Sequence, residues 1–443
     1  MKRVFRSFQL SLLVGCLLIL FTSAACGRED GRLMKAEHPM VKTGLEIFLE
    51  SGTSAVKNKK VGLITNPTGR DSGLRDIVQL FMSHPDIELA ALYGPEHGIR
   101  GNAQAGEYIP FYRDDVYGLP VFSLYGQSLK PPAGMFNDID AYMREFDTMS
   151  EGKTPASDMV EALDVMVFDI QDVGTRIYTY IATMAYCMET CAEIGIPFIV
   201  LDRPNPINGL QMEGPILDYP AFSSFVGLFP IPVRHGMTVG ELARMFNDRF
   251  LANKVDLTVI PMTNWSRDLW FDETGLPWIF PSPNMPSLDT AVVYPGQVFL
   301  EGTNLSEGRG TTKPFELFGA PWIDGHQLES EMNALSLPGV FFREAYFTPT
   351  FSKHKGRRCG GCQIHVTDRV RFASLTAVLH IIQTVRRLYP EQFEFHADYF
   401  DKIMGTDTVR NALEADTPVA TIVDGFKRDL EEFSRNRKEF LLY

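Results

Sequence analysis

"LDVMVFDIQDVG" (residues 163–174) is the segment most informative about the fold class. Every side chain from Val165 to Phe168 is apolar, and the acidic residues Asp169 and Asp172 come at the end of the run. A strand that is apolar on both faces is typical of a parallel sheet with helices on each side. The segment therefore predicts a buried strand with polar residues just past its carboxyl end.

Segments of the same kind recur along the first half of the chain. Apolar strands that end in turn residues are expected in "KVGLITNPTG", "IELAALYGPEHG", "LPVFSLYG", "PFIVLDRPNP" and "KVDLTVIPM". Helical spacing is found between them in "LRDIVQLFMSHP", "TYIATMAYCMETCAEIG" and "TVGELARMFNDRF". Because strands alternate with helices, we predict an α/β fold with a parallel sheet. No GxGxxG follows any of these strands, so no dinucleotide cofactor is predicted.

The chain has 443 residues, enough for two domains. We place the first domain at 44–265 and the second at 266–443. Residues 264–325 have little periodicity, and their aromatic content favours a functional loop over a disordered linker. A strand at "GCQIHVTD" and helices at "SLTAVLHIIQTVRRLYP" and "DLEEFSRNRKEFLLY" are expected after it.

The first 26 residues have the features of an export signal. Basic residues precede the apolar run "LSLLVGCLLILF", and the small residues "TSAA" lead to Cys26. This predicts lipoprotein-type cleavage before Cys26, lipidation of that cysteine and a tether over 27–43. Plain secretion is the alternative, because Ser23 replaces the residue that lipoprotein sites prefer. The predicted location is periplasmic or anchored at the outer membrane of a bacterium.

Charge and cysteine content limit which ligands and partners are expected. The formal net charge of −13 argues against nucleic acid. A single CxxC, at Cys359 and Cys362, is too little for a metal site, although a disulfide between the two is an open alternative in an oxidising compartment. Cys187 and Cys191 are one helical turn apart and are expected in the core. We predict no metal and no cofactor, and these observations do not determine the oligomeric state.

Polar residues gather just past the predicted strand ends. They are Asn66, Glu96, Asp169, Asp172, Asp202 and Arg203. In open α/β sheets this edge binds ligands. Glu96, in "YGPEHGIRG" (residues 93–101), is a candidate carboxyl group for protonating a glycosidic oxygen. An ordinary polar turn is the alternative interpretation.

Two further segments are candidate ligand sites. In "FDIQDVGTRIYTYIAT" (residues 168–183), Arg176 either holds a ligand carboxylate or pairs with Asp172 as part of the scaffold. In "EGTNLSEGRGTTKPFE" (residues 301–316), polar side chains and glycines lie close to Trp278, Phe280 and Tyr294. Such groups bind sugar hydroxyls and stack on sugar faces, so we expect ligand binding there.

These motifs, together with "PVRHGMTVGELA", "PSPNMP" and the terminal "FLLY", occur in one order from about Gly44 to Tyr443. The chain thereby resembles the NamZ-type exo-β-N-acetylmuramidases. The resemblance implies a Rossmann-like N-terminal domain, a smaller C-terminal α/β domain and an active-site cleft between them. It also implies release of N-acetylmuramic acid from non-reducing ends of peptidoglycan fragments, with Glu96 as the catalytic residue.

The resemblance does not assign the second carboxylate. The candidates are Glu107, Asp172, Glu301 and Glu307, with Asp172 and Glu307 preferred. Expected substrate-binding residues are His97, Arg176, Tyr178, Asn284, Glu301, Asn304 and Arg309. Of these, Arg176 or Arg309 is expected to bind the lactyl carboxylate that distinguishes muramic acid from glucosamine.

Two other functions stay open. The first is a non-catalytic, lipid-anchored muropeptide-binding protein in which Glu96 only hydrogen-bonds the sugar. The second is a metal-dependent hydrolase or deacetylase that uses Asp169, Asp172, His97 and His235.

Overall fold

The computed structural model describes residues 39–126, 128–140, 142 and 162–443. The predicted signal peptide, Cys26 and residues 27–38 of the tether lie outside the described residues. Residues 39–443 form a single compact unit by their internal contacts. Among the described helices, none combines the length and apolarity needed to cross a bilayer.

A seven-stranded, mostly parallel sheet lies at the centre of the structure. Within the described residues, the strands are β1 (Lys60–Thr65), β2 (Glu88–Gly94), β3 (Tyr112–Arg113), β4 (Pro120–Ser123), β5 (Val165–Asp169), β6 (Phe198–Leu201), β7 (Glu213–Ile216), β8 (Pro232–Arg234), β9 (Leu257–Ile260), β10 (Leu317–Ala320), β11 (Val340–Phe347) and β12 (Cys359–Val366). The large sheet has the order β3-β4-β2-β1-β5-β6-β9, and only the short β3 is antiparallel to its neighbour. β5 is fully buried between β1 and β6, which confirms the prediction made from its apolar run.

Helices cover this sheet and continue into the C-terminal region. They are α1 (Gly44–Ile47), α2 (Ile77–Ser83), α3 (Gly134–Asn137), α4 (Tyr180–Ile194), α5 (Val239–Arg249), α6 (Leu288–Gln297), α7 (Gly325–Ala334), α8 (Ser374–Leu388), α9 (Ala397–Met404), α10 (Thr408–Glu414), α11 (Val419–Asp424) and α12 (Lys427–Asn436). Gly195 ends α4 with φ +76°, a left-handed conformation that glycine adopts without strain, and Thr238 begins α5 with a capping box to Glu241.

The sequence did not predict α6, which lies inside the stretch 264–325. Its sequence "LDTAVVYPGQ" combines β-branched residues with proline and glycine, all unfavourable in helices. Tertiary contacts compensate: the Ser374 hydroxyl donates to the Val293 carbonyl (2.6 Å) and accepts from the Gly296 amide (2.8 Å). The helix is therefore fixed by its packing against α8 rather than by intrinsic propensity.

The C-terminal region contains a smaller antiparallel sheet of order β10-β12-β11. A Cβ atom on Gly361 of β12 would lie 1.9 Å from the Phe318 carbonyl oxygen of β10, so glycine is required for the strands to approach. Cys359 and Cys362 are buried free thiols in β12. Residues three apart in a strand point to opposite faces, which accounts for the absence of a disulfide between these two.

The terminal residue Tyr443 is bound at the carboxyl edge of the large sheet. Its hydroxyl donates to Asp202 Oδ2 (2.7 Å) and accepts from the Met262 amide (2.7 Å). Asp202 is fully buried just after β6, and it also accepts from the Thr238 hydroxyl (2.8 Å). The "FLLY" terminus therefore closes the edge of the sheet beside β9.

Candidate active site

Glu96 lies in the loop that follows β2, at the carboxyl edge of the sheet. The chain reverses there through His97 (φ +75°) and Gly98 (φ +74°). Glu96 Oε1 accepts from the Gly106 amide (3.1 Å), and Oε2 accepts from the Thr179 hydroxyl (2.9 Å). Because each oxygen has a donor from a different segment, the carboxylate is held in a defined orientation.

The Glu96 carboxylate lines a cavity of about 110 Å³. Its walls come from the loop after β2, the start of α4, the "PSPNMP" segment, α6, the stretch 301–315 and α9. The polar and aromatic lining residues are Glu96, His97, Tyr178, Thr179, Tyr180, Ser282, Asn284, Tyr294, Glu301, Arg309, Phe315 and Tyr399. The cavity thus combines residues from both halves of the chain.

His97 is buried beside Glu96 and offers a neutral ring. Burial lowers its pKa, and this outweighs the opposing effect of the Glu96 charge. Its Nδ1 faces the Ala103 carbonyl oxygen at 2.8 Å. A carbonyl only accepts, so Nδ1 carries the proton of the neutral ring and Nε2 presents a lone pair.

Glu301 and Arg309 form the charged wall of the cavity. Arg309 donates to Glu301 Oε1 from Nε (3.0 Å) and Nη2 (2.7 Å), and the Tyr399 hydroxyl donates to Oε2 (3.2 Å). The guanidinium also lies 4.9 Å from the Phe315 ring centroid and 3.6 Å from Glu307 Oε1. Among the described residues, Nη1 of Arg309 has no hydrogen-bond acceptor, so one arm of the guanidinium is available to a ligand.

Aromatic rings pack edge to face along the same wall. Tyr178 and Tyr294 are perpendicular with centroids 5.7 Å apart, and Tyr294 is perpendicular to Phe315 at 4.8 Å. These rings are buried and hold each other rigidly. They give the cavity a fixed aromatic surface beside its charged groups.

The structure brings seven of the residues named from the sequence into this one cavity: Glu96, His97, Tyr178, Asn284, Tyr294, Glu301 and Arg309, whereas Trp278 and Phe280 are outside its lining. Asn284 is buried, and no hydrogen bond within the described residues engages its side-chain amide. It is therefore free to bind a ligand.

The other named carboxylates lie outside the cavity lining. Asp172 is buried; its Oδ2 accepts from the Gly174 amide (2.7 Å) and lies 3.7 Å from His235 Nε2. Glu307 is buried against Lys353 Nζ (2.8 Å). Glu107 accepts from the Gln104 amide (2.9 Å) in an exposed turn. Each of these three carboxylates has a partner within the protein, and none of them lines the cavity.

Arg176 and Asn304 also have structural partners. The fully buried Arg176 guanidinium donates to the carbonyls of Pro215, Ile231, Ile403 and Met404. It therefore pairs neither with Asp172 nor with a group in the cavity. Asn304 donates to the Gln392 carbonyl (2.7 Å) and accepts from the Glu394 amide (3.1 Å).

Sequence reasoning missed Thr179, Ser282 and Tyr399 as lining residues. Thr179 immediately follows Tyr178, which was predicted to bind substrate, and it lies at the start of a predicted helix near a strand end. Its place in the site could therefore have been predicted from the sequence. Tyr399 comes from α9, far along the chain from the candidate segment 301–316, and no local pattern marks it.

The residues of the metal-dependent alternative are not assembled into a metal site. Asp169 binds Arg203 in a buried bidentate pair (2.5 and 2.8 Å), and His97 faces a carbonyl. In the part of the chain that the structure describes, the group with metal-ligand spacing is His326, Glu329 and Glu344, which is outside the cavity.

Fold and cavity together define an α/β protein with a carboxylate-bearing site at the carboxyl edge of a parallel sheet. Comparison with known proteins identifies the family within this class. Residues 61–149 and 143–289 match the family model for the N-terminal part of the exo-β-N-acetylmuramidase NamZ, and residues 292–443 match that for its C-terminal part. The chain belongs to the NamZ exo-β-N-acetylmuramidase family. The boundary that we placed near residue 265 stays a prediction.

Known relatives agree over almost the whole chain. A peptidoglycan β-N-acetylmuramidase NamZ from Bacillus subtilis strain 168 is 48% identical over 434 residues, covering 98% of this chain and 99% of the relative. Two crystal structures of DUF1343 family proteins from Bacteroides fragilis NCTC 9343 are also similar. They have TM-scores of 0.80 and 0.69 and identities of 35% and 30%, each covering 91% of this chain and 99% of the relative. The expected α/β fold with a smaller C-terminal region is thereby confirmed.

Proposed function

We propose that this protein is an exo-acting glycoside hydrolase that releases N-acetylmuramic acid from non-reducing ends of peptidoglycan fragments. The main observation is that Glu96 and Glu301 line one cavity, in a chain 48% identical to a peptidoglycan β-N-acetylmuramidase. Most glycoside hydrolases use two carboxyl groups beside the scissile bond.

Glu96 is the carboxyl group that exchanges a proton with the glycosidic oxygen. It is half-buried, and the Gly106 amide and the Thr179 hydroxyl fix both of its oxygens. Glycosidic cleavage needs a positioned acid of this kind, because the leaving oxygen must be protonated as its bond to the sugar breaks.

Glu301 is the second carboxylate of our proposal, in place of the Asp172 and Glu307 preferred from sequence. It is the other acidic residue in the described lining of the cavity. Arg309 and Tyr399 orient its two oxygens, so its negative charge is fixed where an oxocarbenium-like transition state develops positive charge.

Arg309 is the receptor for the lactyl carboxylate of muramic acid. Of the two arginines proposed from sequence, Arg309 lines the cavity with a free Nη1, whereas Arg176 is bound by four backbone carbonyls. Asn284 supplies an amide for the acetamido group or a hydroxyl, and Tyr178 contributes to the apolar wall.

The test is hydrolysis of a chromogenic N-acetylmuramide and of a disaccharide with N-acetylmuramic acid at its non-reducing end. On the disaccharide, whose leaving sugar must be protonated, Glu96→Gln should lower kcat about 100-fold or more with little change in KM, because glutamine keeps the shape but cannot exchange the proton. Wild-type protein that binds the disaccharide without releasing sugar would support the binding-protein alternative. Loss of activity on adding a chelator would support the metal-dependent one.

We also propose that residues 1–26 direct export and that Cys26 is lipidated. The support is the order of basic residues, apolar run and small residues before Cys26. Metabolic labelling with a fatty acid should mark the wild type and leave Cys26→Ala unlabelled. Equal labelling of both would refute lipidation, and wild-type protein free in the medium would indicate plain secretion.

A further inference from the structure

Thr179 stands at the start of α4 but does not cap it. Threonine is favoured there because its side-chain oxygen accepts an amide of the first turn, with the backbone extended. Thr179 instead has a helical backbone (φ −74°, ψ −9°) and makes no cap hydrogen bond. At the corresponding position of α5, Thr238 is extended (φ −79°, ψ 166°) and accepts from the Glu241 amide. The Thr179 hydroxyl is thus free of the helix.

The free hydroxyl is used on Glu96. Thr179 Oγ1 donates to Glu96 Oε2 at 2.9 Å, and both residues line the cavity. A hydroxyl has one donor hydrogen and two lone pairs, so it can donate to a carboxylate or, after rotating, accept from a carboxylic acid. The Gly106 amide on the other oxygen can only donate.

The turn that carries Thr179 is held rigidly. The Arg176 amide donates to the Val233 carbonyl (2.8 Å), and the Tyr178 amide to the Thr175 carbonyl (3.0 Å). The buried Arg176 guanidinium ties the same turn to residues just before β8 and at the end of α9. Thr179 therefore presents its hydroxyl from a fixed backbone.

We propose that Thr179 is a positioning residue for Glu96. Its hydroxyl holds Oε2 in place and stays bonded in both protonation states, as Glu96 gives a proton to the glycosidic oxygen and regains one from water. This inference rests on the proposed catalytic role of Glu96.

The experiment compares Thr179→Val, which keeps the shape and removes the hydroxyl, with Thr179→Ser, which keeps the hydroxyl. Thr238→Val is the control for a structural role, since it removes a hydroxyl that caps a helix and donates to buried Asp202, outside the cavity lining. For each variant, kcat and KM for the disaccharide with N-acetylmuramic acid at its non-reducing end are measured across pH, together with the midpoint of thermal unfolding.

We expect Thr179→Val to lower kcat about 10- to 100-fold with little change in KM. The limb of its pH profile that reports Glu96 should move upward by about half to one unit, because the hydroxyl bonds the charged carboxylate more strongly than the neutral acid and the variant loses that difference. Thr179→Ser should recover most of both effects. Thr179→Val should unfold near the wild-type temperature, whereas Thr238→Val should unfold a few degrees lower with an unchanged pH profile.

An unchanged profile in Thr179→Val, or an equal loss in Thr179→Ser, would overturn the proposal. So would a fall in the unfolding temperature of Thr179→Val as large as that of Thr238→Val, since the role would then be structural. Glu96→Gln, assayed alongside, separates the two hypotheses. If wild-type protein releases no sugar, the proposed function fails; if Glu96→Gln retains wild-type turnover, the catalytic role of Glu96 fails; if only Thr179→Val is without effect, the positioning role fails alone.

Discussion

Replacing Arg309 with lysine tests how the site distinguishes muramic acid from glucosamine. Lysine keeps a positive charge beside Glu301 and Glu307, which Arg309 contacts at 2.7 and 3.6 Å. Alanine would leave these carboxylates without that partner, at a cost of about 3–5 kcal/mol when such groups are buried. Lysine, however, lacks the planar guanidinium, whose N–H groups can donate to Glu301 and to a ligand carboxylate at the same time.

The size of the effect follows from the one free arm of the guanidinium. A hydrogen bond to a charged group contributes about 1.5–3 kcal/mol, which corresponds to roughly a 10- to 150-fold change in affinity. With a single free arm, Nη1, we expect the lower part of this range. Looser positioning of Glu301 should weaken both sugars equally, so only the ratio of their affinities reports the carboxylate contact.

The assay measures competitive inhibition by free N-acetylmuramic acid and by N-acetylglucosamine. In Arg309→Lys, the inhibition constant of N-acetylglucosamine divided by that of N-acetylmuramic acid should fall about tenfold or more. Arg410→Lys is the matched control, because Arg410 grips Asp401 in a similar way (2.8–3.1 Å) outside the cavity lining. An unchanged ratio in Arg309→Lys would show that the lactyl carboxylate is bound elsewhere.

Two further predictions concern stability. Tyr443→Phe removes a donor from buried Asp202 and should lower the free energy of unfolding by about 1–3 kcal/mol, measured by urea denaturation; an unchanged midpoint would mean that the terminus is not held by this bond. Burial lowers the pKa of His97, so the unfolded state binds more protons below about pH 6.5. Stability should therefore fall as pH drops through that range, and by less in His97→Gln; parallel curves for the two proteins would contradict the buried, neutral ring.

The sheet was predictable because its strands carry their own signal. β5 is apolar on both faces, and such a pattern fits few structures besides a buried parallel strand. The end of α4 at Gly195 and the capping box of Thr238 are equally local. α6 was missed because its stability comes from Ser374, far along the chain. Local sequence cannot report a contact of that range.

The site was predictable in part for the same reason. Glu96 follows a recognisable strand, so its place at the ligand-binding edge could be inferred. Glu301 and Glu307, by contrast, are six residues apart in one polar stretch, and composition does not tell which faces the cavity. The structure distinguishes the two side chains. Glu301 contacts Arg309 and Tyr399 at the cavity wall, whereas Glu307 is buried against Lys353.

The charges of the cavity connect substrate binding to the protonation of Glu96. Of the described lining residues, Glu96 and Glu301 are acidic and Arg309 is basic, while burial favours the neutral form of His97. With Glu96 ionised the wall carries a net negative charge, and with Glu96 protonated it is neutral. On our proposal, an anionic muramic sugar should therefore bind more tightly to the protonated form, in which Glu96 can donate a proton to the leaving oxygen. The inhibition constant of N-acetylmuramic acid should consequently rise with pH across the ionisation of Glu96, while that of uncharged N-acetylglucosamine stays nearly constant. Parallel pH dependence for the two sugars would break this link between the lactyl carboxylate and the catalytic proton.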